Sequence, residues 1–256
     1  MFVRCAALAL LLVGPVSAQA PATSAPAPAA ETLPDGRALV DKHVAAIGGR
    51  QALLKHRSLQ VKGTMSVAAS GITAPIEIAA AANPNRTIMK TSMAGIGEIM
   101  EGFDGSHGWS VNPMTGPMLK VNKELQQAKL DADFYSDLRD PKTYITVKTV
   151  EKTTFEGRPA YKVSLTRIDG AQDFDFYDAE TGLRAGSIIT RESAMGTLTV
   201  TSVLKDYQKF ADVLIPTSQS QKVMGVEQML KVASVEFDKV DPAVFTPPDA
   251  IKALIK

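Results

Sequence analysis

Three histidines, a Ser-His pair and a spaced set of aspartates are the residues of this chain whose types could support chemistry. His43, His56 and His107 could ligate a metal or act as general bases. They fall in a helical pattern, a loop and a turn, which suits solvent-facing or ordinarily packed histidines better than a three-histidine metal site. Ser106 beside His107 invites a nucleophile reading. Adjacent residues on a tight turn point apart, however, and catalysis needs the hydroxyl within reach of a base that a third group orients. Asp173, Asp175 and Asp178 could ligate calcium, since alternate strand positions share a face. Without a loop of clustered oxygen donors they read as a solvated strand face. The chain contains no HExxH, P-loop, CxxC or Gly-x-Ser-x-Gly motif, and Gly95-Ile96-Gly97 lacks the third glycine and the helix that dinucleotide binding needs. These residues predict neither an enzyme nor a metal or cofactor site.

The elements that would position them are mostly strands. Residues 161–223 read as four extended segments with apolar residues at alternate positions: Tyr161, Val163 and Leu165 share one face, Lys162, Ser164 and Thr166 the other. Asp169-Gly170 turns the chain so that Phe174 and Phe176 return antiparallel, with Asp173 and Asp175 opposite them. Thr181-Gly182 makes the next turn, and 183–191, 198–204 and 213–223 continue an antiparallel meander. Upstream, 59–67 and 72–82 form a hairpin through Ser70-Gly71, followed by strands over 86–93, 97–103, 108–111 and 118–121, punctuated by Asn83-Pro84, Asp104-Gly105 and Asn112-Pro113. Two helices interrupt this pattern. One spans 36–47, capped by Asp35 and stopped by Gly48-Gly49, with 50–56 adding a short second turn of helix. The other spans 122–138, where Leu130, Phe134 and Leu138 recur at four-residue spacing, and should lie across the sheet.

Composition restricts where this fold works. Residues 1–18 carry Arg4, an apolar run from Ala6 to Val13 and the small-residue ending Val16-Ser17-Ala18, the pattern of a secretory signal peptide. The run is too short to span a membrane. Cys5 precedes it, away from the position a lipid-modified cysteine needs. Cleavage would remove the only cysteine, leaving packing alone to stabilise the protein. It would also remove Arg4 and bring the net charge from +1 to zero, which argues against a nucleic-acid partner. Residues 19–34, rich in Ala and Pro, read as a disordered tether, and 35–256 as one domain.

The stretch Phe103-Asp104-Gly105-Ser106-His107-Gly108-Trp109-Ser110-Val111-Asn112-Pro113 resembles the "DG, W, NP" hairpin of the LolA-like outer-membrane lipoprotein carriers. Other landmarks follow in that family's order. Ala82-Asn83-Pro84-Asn85-Arg86 stands where the family has its "RPN" turn, Thr181-Gly182-Leu183 follows a strand, and Phe245-Thr246-Pro247-Pro248 is similar to the "FxxP" tail that follows the closing strand at 235–237. The resemblance implies an α+β, mostly β fold: a curved antiparallel sheet forming an incomplete barrel, lidded by the N-terminal and mid-chain helices, whose apolar concave face receives acyl chains. Asn83 replaces the arginine associated with lid closure in the classical carrier, and Arg86 is out of register with it. Ala46-Ile47-Gly48-Gly49 and the turn at 178–183 are similar to those of many exported bacterial proteins.

Methionine usage agrees with a ligand cavity, because the thioether side chain adapts to irregular partners. Met89, Met93, Met100, Met118 and Met195, with Trp109, Leu130 and Phe134, are the expected hydrophobic ligand residues, and Asn83 and Arg86 the expected lid-turn residues. Each methionine could equally fill a gap in the core, and Trp109 could be structural packing. The expected function is a periplasmic, monomeric, non-enzymatic carrier, without a cofactor, of a lipid, an acylated lipoprotein or another hydrophobic ligand. The alternatives are an envelope protein-interaction module whose sheet is filled by its own helices and, remotely, a hydrolase.

Overall fold

The computed structural model describes residues 32–193 and 196–255. The expected signal segment, residues 19–31 of the expected tether, and Met195 lie outside the described residues. Asp35 caps helix α1 (Gly36–Ala46): its carboxylate accepts the Ala38 N–H at 3.0 Å and satisfies one of the orphan donors of the first turn. Gly48 adopts φ +127° against the carbonyl of Asp212, where a Cβ would sit 2.4 Å from that oxygen, so only glycine ends α1 here. Helix α2 (Arg50–Lys55) follows.

Thirteen strands among the described residues form one antiparallel sheet. They are β1 (Ser58–Val67), β2 (Ile72–Ala81), β3 (Arg86–Met93), β4 (Gly97–Phe103), β5 (Gly108–Asn112), β6 (Gly116–Lys120), β7 (Tyr144–Phe155), β8 (Arg158–Arg167), β9 (Gln172–Asp178), β10 (Arg184–Ser193), β11 (Gly196–Phe210), β12 (Val213–Val223) and β13 (Val226–Phe237). The spatial order is β6-β5-β4-β3-β2-β1-β13-β12-β11-β10-β9-β8-β7. The chain therefore meanders from the middle to one edge, crosses to the opposite edge, and meanders back until β13 pairs with β1.

That crossing proves the curvature. Helix α3 (Asn122–Asp131) packs against β4, β5 and β6 and also against β10. In a flat sheet β5 and β10 would lie eight strand spacings, about 38 Å, apart, whereas α3 is only about 15 Å long. Both contacts are possible only if the sheet curls around the helix, which makes it an open half-barrel without closure. The expected fold class is the one found.

Register assigns every strand residue to a face, since paired residues share one and neighbours alternate. The inner face carries Phe103, which packs on α3 through Ala128, Ala132 and Leu125. At the other end α1 fills the inner face of β8 and β9, where Leu39, Val40 and Val44 meet Val163, Leu165 and Tyr177. The outer face of β2–β6 is covered by the tail after β13: Phe245 of the 3₁₀ turn Pro242–Phe245 and Ile251 of helix α4 (Asp249–Lys252) pack on Ala79, Ala81, Ile88 and Trp109.

Three expectations change. The mid-chain helix stops at Asp131 rather than 138, because the Asp133 carboxylate accepts the Tyr135 N–H and turns the chain into a separate 3₁₀ turn, Ser136–Leu138. Strand β7 escaped the sequence reading: register shifts around Ile145 and Val150 break its two-residue period. Asp173, Asp175 and Asp178 are not a solvated face: they are 3%, 1% and 5% exposed, and only the first two lie on the inner face.

Candidate functional site

The buried aspartates hold the crossing segment in place. Arg139, with φ +47°, forks onto Asp175 with Nε–Oδ2 at 2.8 Å and Nη2–Oδ1 at 3.1 Å, and its Nη1 donates to the Ser136 carbonyl at 2.7 Å. Asp175 also accepts the Tyr177 hydroxyl at 3.0 Å. Two residues before Arg139, Asp137 is reached by Arg184 Nη2 at 3.0 Å, with His43 Nε2 at 3.8 Å. Burial alone would raise the Asp137 pKa, but the charges of Arg184 and His43 outweigh it and hold the carboxyl well below the usual range. Arg139 likewise keeps Asp175 ionised against its burial. Arg167 reaches Gln127 of α3 and Asp173 of β9, both at 3.4 Å. Tyr135 donates its hydroxyl to the His56 carbonyl at 2.9 Å.

Tyr135 lines two cavities on the inner side. One, of about 180 Å³, is walled by Ile47, Leu59, Phe134, Ile215 and Phe237, with Asp137 and Arg184 at its polar side. The other, of about 480 Å³, lies among Leu54, Pro84, Phe103, Leu130 and Leu138, rimmed by Arg50, Lys129, Lys142 and Asp140. Beyond them the inner face of the central strands presents Val61, Met65, Ile78, Met89, Leu230 and Val232, all half-exposed. This is the apolar surface that the fold leaves open to a ligand. Its chemistry is that of a binding groove: aliphatic and thioether side chains, bounded by the Glu101–Lys120 pair on one flank and the Arg139–Asp175 pair on the other.

The expected ligand residues divide between the two faces. Met89, Met93 and Met118 share the inner face with Phe103. Phe134 lines the smaller cavity and Leu130 the larger. Trp109 and Met100 are on the outer face, beneath Phe245 and Ile251, so neither reaches the groove; Trp109 is fully buried on Gly102. Asn83 is exposed in the β2–β3 turn, and Arg86 stacks on the Phe245 ring, 4.7 Å from its centroid, away from the lid. The sequence reading missed Tyr135, Asp137, Arg139 and Arg184. The dense Asp-Leu-Arg-Asp run after an amphipathic helix was the available signal for two of them, Asp137 and Arg139.

The histidines are accounted for by packing. His56 is buried, stacked on Phe237 at 4.0 Å, and held between Asp212 at 2.6 Å and Asp238 at 2.7 Å. Asp104 accepts the backbone N–H groups of Ser106 and His107 and also approaches the imidazole at 3.2 Å. That aspartate is the carboxylate partner the sequence left open, and its contacts shape the hairpin turn. Among the described residues no group of three or more His, Cys, Asp or Glu could hold a metal ion.

An open, curled antiparallel sheet with helices laid along its inner face is a fold that several solved structures share. A LolA superfamily protein of Nitrosomonas europaea superposes with a TM-score of 0.55, at 13% identity over 84% of this chain and 99% of that one. An outer-membrane lipoprotein-sorting protein domain of Vibrio parahaemolyticus gives 0.50, at 12% identity over 82% and 95%. A DUF1329 family protein of Desulfovibrio piger gives 0.51, at 10% identity over 83% and 97%. No family model matches the sequence, and no curated protein matches it. At these identities the likeness is one of fold.

Proposed function

We propose that the chain is an exported, non-enzymatic binding protein that holds a hydrophobic ligand, a lipid or the acyl chains of a lipoprotein, on the inner face of its half-barrel. One observation carries the reading: the apolar row formed by Val61, Met65, Ile78, Met89, Leu230 and Val232 stays half-exposed on a concave face. Covering such surface stabilises a complex by roughly 25 cal/mol per Å². The lipoprotein-sorting domain that shares the fold lends support to the ligand class. Met93, Met118, Leu130 and Phe134 extend the same site. Residues 1–18 would direct export to the periplasm and 19–34 would tether a single domain that acts as a monomer.

The lid follows from the same geometry. Residues 136–139 are pinned by the Asp137–Arg184 and Arg139–Asp175 pairs, whereas α3 meets the sheet through Leu125, Ala128 and Ala132 and a long, 3.4 Å hydrogen bond from Arg167 to Gln127. The helix is therefore the part that can lift while the ion pairs keep its far end anchored. A fluorescent acyl probe should bind the folded protein. Phe134→Ala should lower stability by about 1–3 kcal/mol, less than for a fully buried ring, and increase probe uptake by enlarging the cavity.

A second reading, an interaction module, draws on how far α1 fills the inner face of β8 and β9, leaving a cavity of only about 180 Å³ beside it. If Phe134→Ala is destabilised yet neither form binds an acyl probe or co-purifies with lipid, the interaction module replaces the carrier.

A further inference from the structure

Four neighbouring hairpins, β5–β6, β3–β4, β1–β2 and β12–β13, turn at the same end of the sheet, and their connecting residues carry no charge. They read Pro113-Met114-Thr115, Ala94-Gly95-Ile96, Ala68-Ala69-Ser70-Gly71 and Met224-Gly225. The connections at the opposite end include Asp104, Glu156, Glu180 and Asp212. The β8–β9 turn, farther round the same end, carries Asp169, so the uncharged stretch is these four tips, and the apolar side chains there are not packed away: Met114 is 82% exposed, Met224 71% and Val226, beside it, 44%.

The register gives the stagger between these tips. The last pairs of successive hairpins, Asn112↔Gly116, Met93↔Gly97, Val67↔Ile72 and Val223↔Val226, climb about two residues per hairpin along the strand direction. About 7 Å of climb for each pair of strand spacings of about 10 Å is a slope of about 35°. Strands of a barrel tilt by about that angle from its axis, so the tips end in one plane across the axis rather than on a ramp.

Met224 adds an independent sign. It takes φ +49° as the first residue of a two-residue turn with Gly225 at φ +81°. That turn favours Asn, Asp or Gly at the Met224 position, and a long apolar side chain there works against local stability. A local rule broken at the outermost point of an apolar rim points to use of that point.

The geometry points to this rim as a docking edge for a lipid bilayer surface, with the four tips buried at the headgroup boundary. Charge complementarity selects the occupant. A folded protein's surface would set charged residues against four turns that offer none, whereas the acyl boundary of a neutral bilayer requires no ionic partner. A row of separate tips in one plane also matches a flat surface better than a groove would. The inference does not require the inner groove to hold a ligand.

An environment-sensitive fluorophore on Met224→Cys, and another on Glu156→Cys at the opposite end, each in the full chain with Cys5→Ser, reads the docking directly. Phosphatidylcholine vesicles should shift emission at position 224 to the blue, with quenching by brominated acyl chains, and leave position 156 unchanged; added salt should not reverse it. Flotation supplies a second readout. The Met114→Ser, Met224→Asn double variant should lose at least about tenfold in rim-dependent vesicle affinity, while Met224→Asn alone keeps or raises the melting temperature. A label at 224 that stays in water with neutral and anionic vesicles alike overturns the proposal. So does a blue shift without vesicles that grows with protein concentration, which would mark rim-to-rim pairing, or binding that needs anionic lipid and fails in salt.

Discussion

His56 shows how one side chain can tie three elements together. Its ring joins the end of α2 to the β11–β12 turn through Asp212 and to the end of β13 through Asp238. Burial opposes its charge, but the hydrogen bonds and charges of the two aspartates outweigh that and raise its pKa above 6.5, while Asp212 is lowered to about 2 and Asp238 is also lowered. The raised imidazole contributes stability that is full below pH 6.5 and lost as pH rises through its folded value. The lowered carboxylates contribute stability that is full above 3.8 and lost as pH falls through theirs. Thermal melts should plateau between those limits and decline on either side of them, and His56→Gln should flatten the upper decline. An unchanged profile in the variant would remove His56 from the account. Nothing in the sequence placed Asp212 and Asp238 beside this histidine, since they lie more than 150 residues away. Gly102 makes a parallel case on the outer face. A Cβ there would stand 2.4 Å from the Trp109 ring, so Gly102→Ala should cost about 1–3 kcal/mol in denaturant unfolding. Because that contact is remote from the groove, acyl-probe affinity of the folded variant should not change.

Among the elements, those whose side-chain period is uninterrupted were legible in the sequence. β3, β4 and β12 occupy the spans that alternation and turn residues implied. β7 and most of β13 were not, because each contains a bulge that shifts the period in mid-strand: around Ile145 and Val150 in the first, beside Val232 in the second. The helix over 122–138 was half right for a different reason, since Leu130 and Phe134 keep helical spacing although Asp133 has already ended the helix. The crossing segment depends on its buried ion pair. Asp175→Asn or Arg139→Met alone leaves one charge buried without its partner and should cost about 3–5 kcal/mol, whereas replacing both with apolar residues should recover much of that loss. Equilibrium unfolding of the two single variants and the double variant measures the difference. Additive losses would mean that the pair does not anchor the lid.

At the scale of the whole molecule, one strand order explains both faces. Because β6 and β7 are opposite edges, residues 121–143 must cross the curl, and because β13 returns beside β1, the tail after it is delivered to the outer face. The first consequence leaves an apolar groove on the inner face and the second removes Trp109 and Met100 from it. Alternation along single strands implied an antiparallel sheet, but which methionines share a face across strands depends on register, which no local pattern carries. The central claim is that acyl chains occupy the inner face of the central strands. Photo-crosslinking with a diazirine fatty acid, mapped by peptide mass spectrometry, tests it most directly. Adducts should fall on Met65, Ile78, Met89 and Leu230 and be competed away by unlabelled fatty acid. Adducts confined to the outer face, or none on the folded protein, would contradict it.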